Sequence, residues 1–147
     1  MNNLSAIFSK RVLCNVMLAT LCLAFTQCVS STVQTAAPSS PIRKVHVIDN
    51  PKIHMSGFQP ELVRQIQQMG FATEVVKTPP AGNAHYARYS ANWKWDMAMY
   101  LYKFEITLYE GVRSIGNAKY SATGLDLRKF GPAEEKIRPV LKELFAR

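Results

Sequence analysis

The sequence predicts a single α+β domain, a two-layer sandwich whose mixed, mostly antiparallel sheet follows the order β-α-β-β-β-β-α with two helices on one face. Three observations carry that expectation. A short β-branched strand, a proline-led amphipathic helix and a second short strand succeed one another between residues 43 and 77. Long two-sided alternation, with no helix-length interruption, fills residues 86–122, and an amphipathic helix closes the chain. With 147 residues, 48% hydrophobic and 10% aromatic, the chain supports one real core and leaves no room for a second domain.

The first strand is read at Arg43 to Asn50, where Val45 and Val47 share a face and Asn50-Pro51 marks the turn out. Gln59 to Met69 then places Pro60 at the first helical position. Leu62, Val63, Ile66 and Met69 follow at helical spacing, and Gly70 supplies the stop. Phe71 to Lys77 is a short strand ended by Thr78-Pro79-Pro80, so the domain opens β-α-β, a unit that sets its two strands parallel in one sheet.

In the long alternating region, Tyr89, Ala91, Trp93 and Trp95 fall on one face, with Arg88, Ser90, Asn92, Lys94 and Asp96 opposite. Tyr100, Tyr102, Phe104, Ile106 and Leu108 form the apolar face of the next strand, and Leu101, Lys103, Glu105, Thr107 and Tyr109 its reverse. These are two antiparallel strands, and Glu110-Gly111 turns into a third at Val112 to Ala122. The final helix starts at Pro132 and carries Ala133, Ile137, Val140, Leu141, Leu144 and Phe145 on its apolar stripe. Pro139 lies inside it, where it removes a backbone hydrogen bond and clashes with the preceding turn, so a kink near Arg138 or two short helices are expected.

Ahead of this domain lies a leader. Residues 1–11 are polar and end in Lys10 and Arg11, and Val12 to Phe25 is a mostly apolar run. A spanning helix needs about 20 apolar residues, so the run is the hydrophobic region of a secretory signal rather than a permanent span. All three cysteines, Cys14, Cys22 and Cys28, lie in the first 28 residues, which leaves the folded part without any disulfide or cysteine-based metal site. With Lys10 and Arg11 removed from the 18 basic residues, 16 face 10 acidic ones, a net charge of +6. In an exported chain, the anionic partners such a charge meets are phospholipid headgroups, lipopolysaccharide and cell-wall polymers, not nucleic acid, while a solvated, mixed-charge surface accounts for it without any partner.

The segment Phe25-Thr26-Gln27-Cys28, followed by a stretch rich in Ser, Thr, Ala and Pro, resembles the lipobox of bacterial lipoproteins. That resemblance implies cleavage before Cys28, a thioether-linked diacylglycerol on its sulfur and an N-linked acyl chain such as palmitate. Phe25 stands where Leu is usual and Gln27 where a small residue is usual. The competing reading is a soluble secreted protein cut after Ser30 or Ala36. Val29, in place of Asp, directs such lipoproteins to the outer membrane. The domain plan is therefore a signal peptide at 1–27, a lipidated Cys28 with a disordered tether over 28–41, and the α+β domain over 42–147.

Chemistry-bearing motifs are scarce. His46, His54 and His85 have no partner at metal-ligand spacing, so no metal site and no cofactor are expected. There is no glycine-rich phosphate loop and no nucleophile elbow. Glu134 and Glu135 sit at a helix start, where the dipole accounts for them. Asp96 and Glu105 fall on polar faces, and only a cleft in which either met a histidine would suggest a hydrolase. The unusual feature is aromatic: Trp93, Trp95, Tyr100 and Tyr102 crowd two adjacent strands and form a candidate binding surface for sugars or peptides, or else core under the helices.

The same region carries a family resemblance. Tyr89-x-Ala91-Asn92-Trp93-x-Trp95-Asp96, Ala98-x-Tyr100-Leu101, Ile115-Gly116-x-Ala118-x-Tyr120 and Phe130-Gly131-x-Ala133-Glu134-x-Lys136, behind a lipobox-like Cys28, resemble the small Sbal-type lipoproteins of Gram-negative bacteria. The resemblance implies an uncharacterised envelope lipoprotein and brings no activity, cofactor or site residues with it. The expected function is a membrane-anchored, non-enzymatic scaffold or partner-binding module on the periplasmic face of the outer membrane. Its partner is an envelope protein or cell-wall component. The alternative is a binding module for a small glycan or peptide.

Overall fold

The computed structural model describes residues 30–123 and 127–146; the expected signal peptide and Cys28 lie outside the described residues. Strands β1 (Ser30–Thr35), β2 (Lys44–Ile48), β3 (Ala72–Val76), β4 (His85–Asp96), β5 (Ala98–Glu110) and β6 (Arg113–Ser121) form one sheet in the order β1-β6-β5-β4-β2-β3. Helices α1 (Phe58–Gln68) and α2 (Ala133–Phe145) pack on one face of it, and a 3-10 turn at Leu127–Phe130 precedes α2. The sheet is mixed. β2 runs parallel to β3, as the β-α-β opening requires, and also to β4, and the remaining pairs are antiparallel.

The core follows from the alternation. Val45, Val47, Ala87, Tyr89, Phe104, Ile106, Leu108 and Ala118 point one way from the sheet, toward Leu62 and Ile66 of α1 and Ile137, Leu141 and Leu144 of α2. Phe58, at the first position of α1, packs its ring against Tyr89, Trp93 and Phe104, with centroids 6.3, 5.0 and 5.9 Å away. Phe71 and Phe145 close the other end at 5.0 Å. Gln65 is buried between the helices, donating to Glu61 Oε1 at 2.9 Å and to the Glu134 carbonyl at 3.0 Å. Gly70 ends α1 as expected, at φ 93°, a left-handed geometry that carries no steric penalty in glycine.

Three expectations need correction. The stretch read as a disordered tether is ordered from Ser30 onward. Ser30–Thr35 pairs antiparallel with β6 from Ser30↔Ser121 to Thr35↔Gly116, so the order is β-β-α-β-β-β-β-α and the domain does not wait for Ile42. Ser, Thr and Pro enrichment hid a strand whose burial is slight because it lies at the sheet edge, with only Val33 packed on the core. Second, of the two outcomes expected at Pro139, two short helices do not form: Ala133–Phe145 is one helix. Its buried residues on both sides of the proline, Ile137, Val140, Leu141, Leu144 and Phe145, hold the two halves on the same sheet against a local cost of about 3 kcal/mol. The third correction concerns β5 and is a matter of the candidate site.

The segment after β1 is fastened by Glu110, at the far end of β5. Its carboxylate accepts the backbone N–H groups of Ser39 (2.9 Å) and Ser40 (3.0 Å), and Arg113 Nη2 reaches it at 2.6 Å. These donors, the Ser39 N–H first and Arg113 next, hold the Glu110 carboxyl down to about 2 from an ordinary 4.5. A carboxyl lowered on folding stabilises the native state above its unfolded value and loses that contribution as pH falls through the folded one. Wild type is therefore expected to outlast Glu110→Gln in urea at neutral pH, with the gap between their midpoints closing from pH 4.5 toward 2. A gap that did not narrow over that range would show that the carboxylate is not the fastening group.

Candidate functional site

The aromatic region is the β4–β5 hairpin, whose strands meet through a single residue: Asp96 pairs with Ala98, leaving Met97 at the turn. Down the ladder the register shifts, since Asn92 pairs with Lys103 and Trp93 with Leu101, so Tyr102 is the extra residue of a β-bulge. The bulge reverses parity along β5. Phe104, Ile106 and Leu108 face the helices as expected. Past Tyr102 the core position passes to Leu101, which is 1% exposed, while Tyr100 pairs with Lys94 on the opposite side. The apolar face read as Tyr100, Tyr102, Phe104, Ile106 and Leu108 is thus split.

The four candidate aromatics do not form one surface. Trp93 is half-buried on the helix side, edge-on to Phe58. Beside it Ile53, Met55 and Met99 line an open depression of about 380 Å³ that also reaches Lys52 and His54. Trp95 shares that face but lies beyond the helices and is 73% exposed. Tyr100 is buried on the other face, under the 3-10 turn, edge-on to Phe130 at 5.9 Å. Tyr102 sits between two ammonium groups, Lys94 Nζ at 3.7 Å and Lys103 Nζ at 5.2 Å from its ring centroid. Cys28, the candidate lipidation site, lies outside the described residues.

The turn over Tyr100 works as a clasp. Lys129 is buried, with its Nζ 2.6 Å from Asp96 Oδ2 and 5.2 and 5.0 Å from the rings of Tyr100 and Phe130. Asp96 is half exposed, which places the pair between a surface ion pair worth under about 1 kcal/mol and a buried one whose rupture costs about 3–5 kcal/mol. Asp96→Asn is expected to lower stability by about 1–2 kcal/mol in urea unfolding, and a Lys129→Met change added to it to restore part of the loss. Equal losses in the single and double variants would show that the two groups are not coupled.

The chemistry available to the polar groups is modest. Glu105 faces away from the helices, accepts from Asn117 Nδ2 at 3.0 Å and pairs with Lys119 at 3.1 Å. The Asn117 hydrogen bond holds its carboxyl below the usual range. Neither Asp96 nor Glu105 meets a histidine: His46 and His85 lie beside Glu74 and Glu110, at 3.6 and 3.5 Å. Among the described residues no group of three or more His, Cys, Asp or Glu side chains could hold a metal, and no helix is long and apolar enough to cross a membrane.

Sequence reading missed the residues that give the hairpin its character. Met97 is 86% exposed and Met99 52%, and Met97 has φ 62°, the only positive φ among the described non-glycine residues. A side chain other than Gly, Asn or Asp in that region costs about 1–2 kcal/mol. The signal was present as apolar residues at every second position, Trp95, Met97 and Met99. That pattern, however, continues the core stripe of β4, and nothing in it shows where the helices stop covering the sheet.

No family model matches the chain, and no curated protein does. Among solved structures, it is similar to a dodecamer of a PelC variant from Paraburkholderia phytofirmans, at 12% identity and a TM-score of 0.49, over 78% of this chain and 97% of that one. A likeness this loose carries no functional weight.

Proposed function

We propose that this chain is a lipid-anchored envelope lipoprotein. It is a non-enzymatic module, held by acyl chains on Cys28 at the periplasmic face of the outer membrane, that binds or scaffolds another envelope component. The observation that carries the reading is the pairing of Ser30–Thr35 with β6, which ties the chain into the sheet within two residues of Cys28. Ser30, the first described residue of β1, follows the cysteine by two residues, so an anchor at Cys28 would hold the domain close to the bilayer. The leader, the lipobox-like segment and the resemblance to Sbal-type lipoproteins support the same reading, and Val29 favours the outer membrane over the inner.

For the partner, an envelope protein or cell-wall component, two surfaces are on offer. One is the free edge of β3, where Val75 is 45% exposed, a place for a strand to be added. The other is the sheet face that the helices leave open, where Ser90, Asn92, Glu105 and Lys119 border a shallow polar depression of about 360 Å³. The second reading, a binder of a small glycan or peptide, is favoured by the depression beside Trp93.

Intact mass of the membrane-fraction protein, wild type beside Cys28→Ser, tests the anchor. A species beginning at Cys28 and heavier by its acyl chains, absent from the variant, is the expected result. An unmodified species beginning after Cys28 would overturn the reading and leave a soluble periplasmic binder.

A further inference from the structure

The sheet register fixes which end of the domain faces the anchor. Ser30 pairs with Ser121, Ser121 with Lys103 and Lys103 with Asn92, so one row of the sheet runs from the first residue of β1 to β4. Beyond that row β4 continues through Trp93 to Asp96, about 13 Å at the rise of a strand. On the other side Cys28 precedes Ser30 by two residues, a reach of at most about 7 Å. The hairpin tip therefore stands at the same end of the sheet as Ser30, and further out than two residues of chain preceding Ser30 can reach.

That tip is apolar and basic together. Trp95, Met97 and Met99 are three of the six exposed large hydrophobic side chains among the described residues, and a fourth, Phe130, packs on Tyr100 nearby. Exposed cations ring them: Lys52 on the helix side, Lys94 and Lys103 on the other. Among the described residues of the tip the acid is Asp96, and Lys129 matches it. A tryptophan and two methionines beyond a ring of lysines match the layers of an anionic bilayer, with headgroups level with the ammonium groups and the acyl boundary just past them. Met97 fits the pattern too, because a strained backbone holds an unbranched apolar side chain outward where glycine or asparagine would turn the chain more easily.

We propose that the β4–β5 tip, Trp95 to Met99, inserts into the headgroup region of an anionic phospholipid bilayer and, as a second contact beside the lipid on Cys28, fixes the orientation of the domain on the membrane. The proposal rests on the anchor reading for bringing the domain to the bilayer, and the tip contact is measured separately from the anchor. The full chain is exported in a Gram-negative host and purified, and its acylation state is read by intact mass. It is then added to phosphatidylethanolamine and phosphatidylglycerol vesicles with or without brominated acyl chains. The chain has two tryptophans, so Trp93→Phe leaves Trp95 as the single reporter and Trp95→Phe leaves Trp93.

Trp95 emission is expected to shift to the blue and to fall about twofold or more with brominated lipid, while Trp93, under Phe58, responds little. Met97→Asp with Met99→Asp, both at exposed positions, is expected to abolish the quenching without lowering the urea midpoint. Trp95 emission unchanged by vesicles overturns the proposal. So does a blue shift that grows with protein concentration in the absence of lipid, which assigns the tip to a second copy of the chain. If Trp95 is quenched in protein that carries no acyl chain, the anchor reading falls and the tip contact stands. Acylated protein with an unquenched Trp95 gives the reverse.

Discussion

Phe104→Ala is expected to cost the domain about 3–5 kcal/mol, read as a lower urea midpoint at unchanged slope. Phe104 is 1% exposed and lies in the central pair of strands, paired with Ala91 on β4 and Tyr120 on β6. Its ring meets Phe58, which couples α1 to the sheet and also touches Tyr89 and Trp93. Truncation there removes buried apolar surface and leaves a cavity that α1 cannot close without breaking its other ring contacts. Since a domain of this size is stable by only about 5–15 kcal/mol, the loss is a large part of the total. A change under about 1 kcal/mol would mean that α1 does not sit on the sheet through Phe58.

The second large effect concerns location. With acyl chains on Cys28, membrane retention withstands high salt, because one fatty chain alone gives marginal binding and two or more give an effectively permanent anchor. In Cys28→Ser, the soluble share of the exported protein is expected to rise by at least about tenfold in high salt, where the lysines around the hairpin no longer hold it. At low salt a fraction of the variant is expected to remain with vesicles through the tip. A variant as firmly held as wild type in high salt would remove Cys28 from the anchor.

Most of the fold was legible because its signals are local. The valines of β2, the stripe of α1 ended by Gly70 and the stripe of α2 each state a period within about a dozen residues, although α1 starts at Phe58 and not at the expected Pro60. What was not legible depends on neighbours. Ser30–Thr35 is a strand because β6 offers it an edge, and its composition of Ser, Thr and Gln contains no apolar alternation to announce that. The bulge at Tyr102 comes from the pairing of two strands, and a shift of one residue moved Tyr100 from the expected apolar face to the far side. The candidate aromatics are divided between the two faces of the hairpin for that reason. Met97 and Met99 stand out in the same segment but not as a surface, because their exposure depends on which part of the sheet the helices cover, which no strand's own sequence records.

The central structural claim is that Ser30–Thr35, which follows the proposed anchor at Cys28 by two residues, is a strand of the sheet and not a tether. Amide hydrogen exchange over Ser30–Thr35, in the exported full-length protein, tests it most directly. Pairing with β6 along that whole segment means that its inward-bonded amides should exchange far more slowly than those of an unstructured chain, and that a Val33→Pro change should release them. Exchange over Ser30–Thr35 at the unstructured rate in wild type would return the segment to a tether and contradict a domain held flush against the membrane.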